Sequence, residues 1–333
     1  MINLQKEFLD FHNNIKLDDE NEELREKRKI LLDILSKKKS DDVAPFTHFN
    51  QGSYAMHTGI KPQDGDYDID VGLRFEIDRN DFDPIVVKKW VKDALDGHTK
   101  SVKIRRSCVT VTYQKNGEPL YHVDFAVYAT KNSDGKMYIA KGKEYSDPDN
   151  KTWEISCPID LMDTLRNRFD DQDDNAQFRR VIRYLKKWKD NSFTSKGNSA
   201  PTGISLTVLA YNDFNPQKRF DNITYTTKYD DFTALSNLVE SILNSFSYTY
   251  CNGEYYHTIS VKLPVEPYNE LFEKMSHKQM ESFYNKVFDL HSALAEVKEC
   301  TKRSEACTKL VEVFGDDFPI TADKSTVGTS ESA

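Results

Sequence analysis

Apolar and polar positions divide the chain into four stretches. In residues 1–40, Leu24, Leu31 and Leu35 recur at i, i+7, i+11 with Glu and Lys between them, which predicts helix. The run Lys37-Lys38-Lys39-Ser40-Asp41-Asp42 breaks that pattern, and Pro45 marks the next start. Residues 41–160 are strand-rich. Phe46 to Asn50 forms a short strand candidate that ends at Gly52-Ser53. Ile69, Val71, Leu73 and Phe75 alternate with polar residues, as do Val109, Val111 and Tyr113. Asn116-Gly117 predicts a hairpin turn, with Tyr121, Val123, Phe125 and Val127 on one face of the return strand. Residues 161–318 change period. Phe178, Val181, Ile182, Leu185 and Trp188 make a helical stripe, and Ser276 with Gln279 suits a capping box before Phe283, Val287, Leu290, Leu294 and Val297. One hairpin, around Asn252-Gly253, interrupts these helices. Residues 319–333, rich in Ser and Thr with little to bury, are expected to be a disordered tail. Strands followed by helices give an α+β class.

With 333 residues, about two domains are expected. The net charge of −8 argues against binding long nucleic acid through overall charge. The longest charge-free stretch, Gly197 to Asn212, holds Pro201, Gly203 and several hydroxyls, so no membrane span is expected. The N-terminus lacks the basic-then-apolar order of a signal peptide, and five scattered cysteines without a C-x-x-C pair fit reduced thiols. A cytoplasmic location is the expectation. His291, Cys300 and Cys307 lack zinc-ligand spacing. The basic run Lys100, Lys103, Arg105, Arg106 is assigned to a solvated, edge-like segment.

The chemistry concentrates in Gln51-Gly52-Ser53-Tyr54 and in Asp68-Ile69-Asp70-Val71. Side chains alternate along a strand, so Ile69, Val71 and Leu73 face a core while Asp68 and Asp70 share the other face. Like charges so placed repel unless a cation neutralises them, and Mg²⁺ selects carboxylate oxygens together with phosphates. Asp124, opposite in parity to Val123 and Phe125, would complete a three-carboxylate cluster able to hold two metal ions. Gly72 on the same face is expected to leave room for a ligand, and Asp66 adds another carboxylate of that parity. Ser53 is expected to cap a helix beginning at Tyr54 and ending at Gly59, its free N–H groups turned to a phosphate.

Gly52-Ser53, then Asp68-Ile69-Asp70-Val71, then Asp124 after a hairpin resembles the polymerase-β-like nucleotidyltransferases. Val181 to Trp188, followed by Pro201-Thr202-Gly203-Ile204-Ser205-Leu206, is similar to the helical half of oligoadenylate synthetase and cyclic GMP-AMP synthase, above all to their bacterial relatives, the CD-NTases of anti-phage signalling. The resemblance covers about residues 45–315. It implies a polymerase-β-like palm of mixed sheet and helices over 41–160, a helical second lobe over 161–318, an active site between them, and a helix in 1–40 bracing both. It implies that Asp68, Asp70 and Asp124 bind metal and catalyse, with two Mg²⁺ ions for which Mn²⁺ could substitute. Gln51, Gly52, Ser53, Lys186, Thr202 and Ser205 are the nucleotide contacts it suggests. On the wheel, Arg179, Arg183 and Lys186 flank the core stripe, while Lys187 falls opposite it and is expected to face solvent. The implied activity joins ribonucleoside triphosphates into a cyclic di- or trinucleotide messenger. A linear product, or the modification of RNA or protein, is the alternative. In some such systems a ubiquitin-ligase-like partner acts on the synthase's C-terminus, and the small-residued tail suits that.

Overall fold

The alternation over Asp68 to Phe75 becomes the inner strand of a mixed sheet in the computed structural model, which describes residues 2–17, 22–40, 42–62, 67–99, 101–115, 118–193, 200–222 and 225–323. The chain divides into two units. A strand unit comprises residues 17–168 and 262–269, and a helical unit comprises residues 1–16, 169–261 and 270–333. The stretch 1–40 forms two helices rather than one. α1 (Gln5–Ile15) belongs to the helical unit and α2 (Glu22–Lys38) to the strand unit. α1 stops because Lys16 turns extended.

In the strand unit, β1 (Phe46–Gln51) leads through the single turn α3 (Gly52–Ala55) to β2 (Tyr67–Phe75). Then come α4 (Pro84–Leu95), β3 (Ser101–Ile104), β4 (Val109–Lys115), β5 (Glu118–Ala129), β6 (Tyr138–Ala140), β7 (Trp153–Ile155) and α5 (Pro158–Arg166). The sheet order is β1-β2-β5-β4-β3, with β6 and β7 continuing from β5. β2 and β5 run parallel, and the other neighbours are antiparallel. Ile69, Val71, Leu73, Val111, Val123, Phe125 and Val127 are buried together with Leu31 and Leu35 of α2 and Val87, Val91 and Leu95 of α4. α4 starts where it does because Asp83 accepts from the Ile85 N–H at 2.7 Å and Pro84 occupies the first turn. Of the basic run, Lys103 lies on the edge strand β3 and Arg105 and Arg106 follow it, all three exposed; Lys100 and the Asn116-Gly117 turn fall outside the described residues. The division between units comes after Arg168. The Arg166 guanidinium of α5 donates to the Ala55 carbonyl, and Glu266 pairs with Lys136, which ties both segments to the sheet.

The helical unit holds α1, α6 (Gln172–Ser192), α7 (Gly203–Asp213), β8 (Lys218–Asp221), β9 (Thr226–Tyr229), α8 (Asp231–Asn244), β10 (Ser247–Cys251), β11 (Glu254–Thr258), α9 (His277–Glu299) and α10 (Arg303–Phe314). Phe8 and Phe11 of α1 pack on Tyr184, Phe314 and Phe318. The fully buried Asp231 is met by Arg180 at 2.6 Å, Gln177 at 3.1 Å and the Tyr184 hydroxyl at 3.0 Å. The capping box of Ser276 and Gln279 forms as expected. A second hairpin, β8–β9, joins the expected one at β10–β11. No helix among the described residues is long and apolar enough to cross a membrane, and the five cysteines are free. Residues 324–333 of the tail lie outside the described residues.

Candidate active site

Parallel pairing of β2 with β5 sets Asp70 directly beside Asp124, and Asp68 beside His122. On the other side of β2, Gln51 pairs with Asp70. Asp70 thus stands between the end of β1 and Asp124, on the face turned away from the core. Asp68 shares that face, displaced by two residues, or about 6.6 Å along the strand. Among the described residues no three His, Cys, Asp or Glu side chains converge as a ready metal cluster. Asp70 and Asp124 thus lie side by side, with Asp68 two residues further along β2 on the same face. Asp66 lies outside the described residues.

The donor set fits a hard divalent cation. Asp124 Oδ1 is buried with no hydrogen-bond partner, and a carboxylate oxygen so placed is an expensive feature unless something positive meets it. Gly52 takes φ +70°, and a Cβ there would come within 2.7 Å of Asp70 Cγ. Glycine thus serves twice, for the left-handed turn and for the space taken by the Asp70 carboxylate.

The turn itself differs from expectation. The helix runs only from Gly52 to Ala55, with Gln51 at its N-cap position, so Ser53 lies inside the turn instead of capping it. The Met56 N–H closes on Gly52 O at 3.1 Å, and the segment ends well before Gly59. Gln51 Oε1 accepts from the Tyr128 hydroxyl at 2.8 Å, which fixes its amide against β5. Gly72 also has another purpose. A Cβ on it would lie 2.9 Å from Phe49 Cδ1 and overlap the ring further out, so the space at Gly72 holds the Phe49 ring and not a ligand.

Two neighbours of Asp124 escaped the sequence reading. Thr110 pairs with Asp124 across β4 and β5, and the Cys108 thiol lies 3.5 Å from the Thr110 hydroxyl. Burial, then the Asp124 charge, pushes that thiol up to about 12, so it stays protonated. Lys88 of α4 is fully buried and donates to the carbonyls of Arg105 at 3.1 Å, Arg106 at 2.7 Å and Gly142 at 2.9 Å. It anchors the turn that delivers Cys108 to the sheet. Its signal was a lysine three residues after Ile85 and three before Val91, on the apolar stripe of α4.

The remaining expected contacts belong to the helical unit. Lys186 is buried on α6, its Cε 3.6 Å from where a Cβ on Gly203 would sit, so the glycine at the start of α7 admits the lysine stem. Thr202 caps α7, accepting from the Ser205 N–H at 3.2 Å. Ser205 is fully buried, and its hydroxyl donates to Thr202 O at 2.8 Å, which makes it part of the cap. Lys187 does not face solvent. It is buried and paired with Asp317, because the segment after α10 folds back over that side of α6.

Comparison with known proteins follows the same geometry. Residues 46–128, which hold β1 through most of β5 and all three aspartates, match the family model for the nucleotidyltransferase domain of DncV-like cyclic GMP-AMP synthases. A cyclic GMP-AMP synthase from Escherichia albertii is 28% identical over 182 residues, which is 52% of this chain and 38% of that protein. The chain thus matches well under half the length of that relative. Vibrio cholerae DncV in its apo form superposes with a TM-score of 0.71 at 18% identity, covering 95% of this chain and 96% of that one. The Bradyrhizobium diazoefficiens CD-NTase CdnG, in complex with GTP, gives 0.70 at 13% identity, covering 94% and 95%. These likenesses show a shared fold: a polymerase-β-like mixed sheet with helices, followed by a helical part. Residues 46–128 are thus similar to the nucleotidyltransferase domain of DncV-like cyclic GMP-AMP synthases, and the chain as a whole shares the fold of solved CD-NTases.

Proposed function

We propose that this protein is a divalent-metal-dependent nucleotidyltransferase that joins ribonucleoside triphosphates into a cyclic di- or trinucleotide messenger and releases pyrophosphate. The observation that carries the reading is the Asp70–Asp124 pairing beside Gly52, with a buried, unpartnered oxygen on Asp124. The name of the Escherichia albertii relative and the GTP bound by CdnG support the substrate class.

In this reading Asp68, Asp70 and Asp124 would hold Mg²⁺, with Mn²⁺ as substitute. When bound there, such ions would supply positive charge, lowering the pKa of an acceptor hydroxyl and stabilising departing pyrophosphate. The chain's own groups position and move protons. The backbone at Gly52 and Ser53 receives the triphosphate, and the Tyr128–Gln51 hydrogen bond keeps that backbone in place. Asp124, the carboxylate nearest the reacting groups in this reading, would also favour deprotonation of the attacking hydroxyl. Lys186 and Thr202 are the further triphosphate contacts that the resemblance suggests. Phosphoryl transfer leaves little else for the protein to supply beyond position and charge. Ring closure follows when the first linkage product stays bound and presents its free hydroxyl to the same carboxylates. The cellular setting we assign is anti-phage signalling, as in the systems the sequence resembles.

The test is pyrophosphate release from a mixture of ribonucleoside triphosphates. Wild type should release it with Mg²⁺ and stop on chelation. Asp70→Asn and Asp124→Asn should each remove it while the thermal transition stays in place. Release that survives chelation or either substitution would reject the assignment.

A further inference from the structure

β10 pairs only with β11 among the described residues, and its other edge carries no strand. Tyr248 and Tyr250 point to one face of this hairpin and are 72% and 63% exposed. Across the hairpin Tyr250 meets Tyr255 with ring centroids 4.9 Å apart, and Tyr248 meets His257 at 4.5 Å. His257 stacks in turn on Tyr284 of α9 at 3.4 Å and 4°, and its N–H donates to Glu281 at 2.6 Å. The hairpin is therefore fixed to α9 through β11, while β10 presents backbone groups and aromatic rings outward. A well-anchored, aromatic edge strand without a charge along it is a template for another strand. Ser247-Tyr248-Thr249-Tyr250-Cys251 carries no charged residue.

The sequence of the strand points to its occupant. A two-fold contact needs residue i to meet j and j to meet i. Tyr248-Thr249-Tyr250 reads the same in both directions, so antiparallel pairing about Thr249 sets Tyr248 of each copy opposite Tyr250 of the other. Both contacts repeat the aromatic pairing already made by Tyr250 and Tyr255 within the hairpin. Thr249, on the opposite face, hydrogen-bonds Thr258 at 2.8 Å and would meet its own symmetry mate.

We propose that the β10 edge is a self-association surface, on which a second copy of this chain adds its own β10 antiparallel about Thr249 to make a four-stranded sheet. One strand pair buries a modest area, so the dimer is concentration-dependent and not obligate. The proposal is independent of the nucleotidyltransferase reading.

The test combines sedimentation with a geometric cross-link. Wild-type protein should pass from monomer to dimer as concentration rises. Tyr248→Lys with Tyr250→Lys puts like charges opposite each other across the two-fold, and should weaken dimerisation at least about tenfold. In a Cys251→Ser background, Thr249→Cys should form a disulfide-linked dimer under mild oxidation. Directly opposed Cβ atoms lie within reach of that bond. Glu254→Cys, exposed on the outer strand, should not. Circular dichroism on each variant separates lost association from lost fold. Wild type that stays monomeric throughout, a dimer unaffected by the two lysines, or a Thr249→Cys cross-link no faster than that of Glu254→Cys would overturn the proposal.

Discussion

Gly52→Ala separates the stability of the turn from the placement of Asp70. The backbone there sits at φ +70°, where a side chain costs about 1–2 kcal/mol. The new methyl would also lie within 2.7 Å of Asp70 Cγ and 3.0 Å of Asp70 Cβ. The nearest obstacle is the end of a side chain, which can swing away, so the fold loses little more than the backbone term. A loss of that size reduces the folding constant about 5- to 30-fold, which a stable domain survives. The activity has no such escape, because the carboxylate that moves is the one beside Asp124. A misplacement near 1 Å costs on the order of 100-fold in rate. Urea titration should therefore show a modest shift in midpoint with unchanged slope, while pyrophosphate release at saturating triphosphate falls about 100-fold or more. Turnover within a few-fold of wild type would refute the claim that Gly52 seats Asp70 for the reaction.

Gly72→Ala should behave in the opposite way: its methyl meets the Phe49 ring, so stability should fall by about 1–3 kcal/mol with turnover per folded molecule retained. A loss of kcat at intact stability would return Gly72 to the active site. Lys187→Ala breaks the pair with the half-exposed Asp317 and should cost about 1–2 kcal/mol in urea titration, leaving triphosphate KM unchanged; Lys186→Ala should raise that KM instead. Equal KM effects would mean that Lys186 has no special contact. His12 is held neutral, its value down to about 4 from 6.5 by burial and then by Arg183 and Arg180. The unfolded chain takes up that proton first, so stability should decline as pH falls from 6.5 toward 4, and His12→Gln should flatten the decline in thermal melts. An unchanged slope would show that other groups govern acid sensitivity.

What the sequence disclosed follows from which contacts are local. Strand parity put Asp68 and Asp70 on one face and Asp124 on the matching face, because a period of two depends only on neighbours along the chain. That β2 and β5 pair in register at Asp70 and Asp124 is a long-range fact. Gly72 was assigned to a ligand because its cross-strand neighbour, Phe49, lies on a strand with no marked alternation. Ser53 was assigned to a cap because serine favours that position, but the turn begins at the left-handed Gly52, two residues before Tyr54. A helical wheel placed Lys187 correctly relative to α6, yet could not show that Asp317 returns to cover it. The β8–β9 hairpin lacks an Asn-Gly turn, and its exposed strands carry little apolar alternation to find. Lys88 was legible in principle, as a charge on an apolar stripe that only carbonyl acceptors could satisfy.

The central claim is that the Asp70–Asp124 pair builds a closed oligonucleotide from triphosphates without a macromolecular acceptor. The most direct measurement incubates the purified chain with all four ribonucleoside triphosphates and Mg²⁺, treats half with phosphatase, and resolves both halves by chromatography and mass spectrometry. The account predicts a short product of fixed size that survives phosphatase, because ring closure leaves no terminal phosphate, and that is missing from Asp124→Asn. A ladder of phosphatase-sensitive oligomers that lengthens with time, or no product until RNA or protein is added, would contradict it.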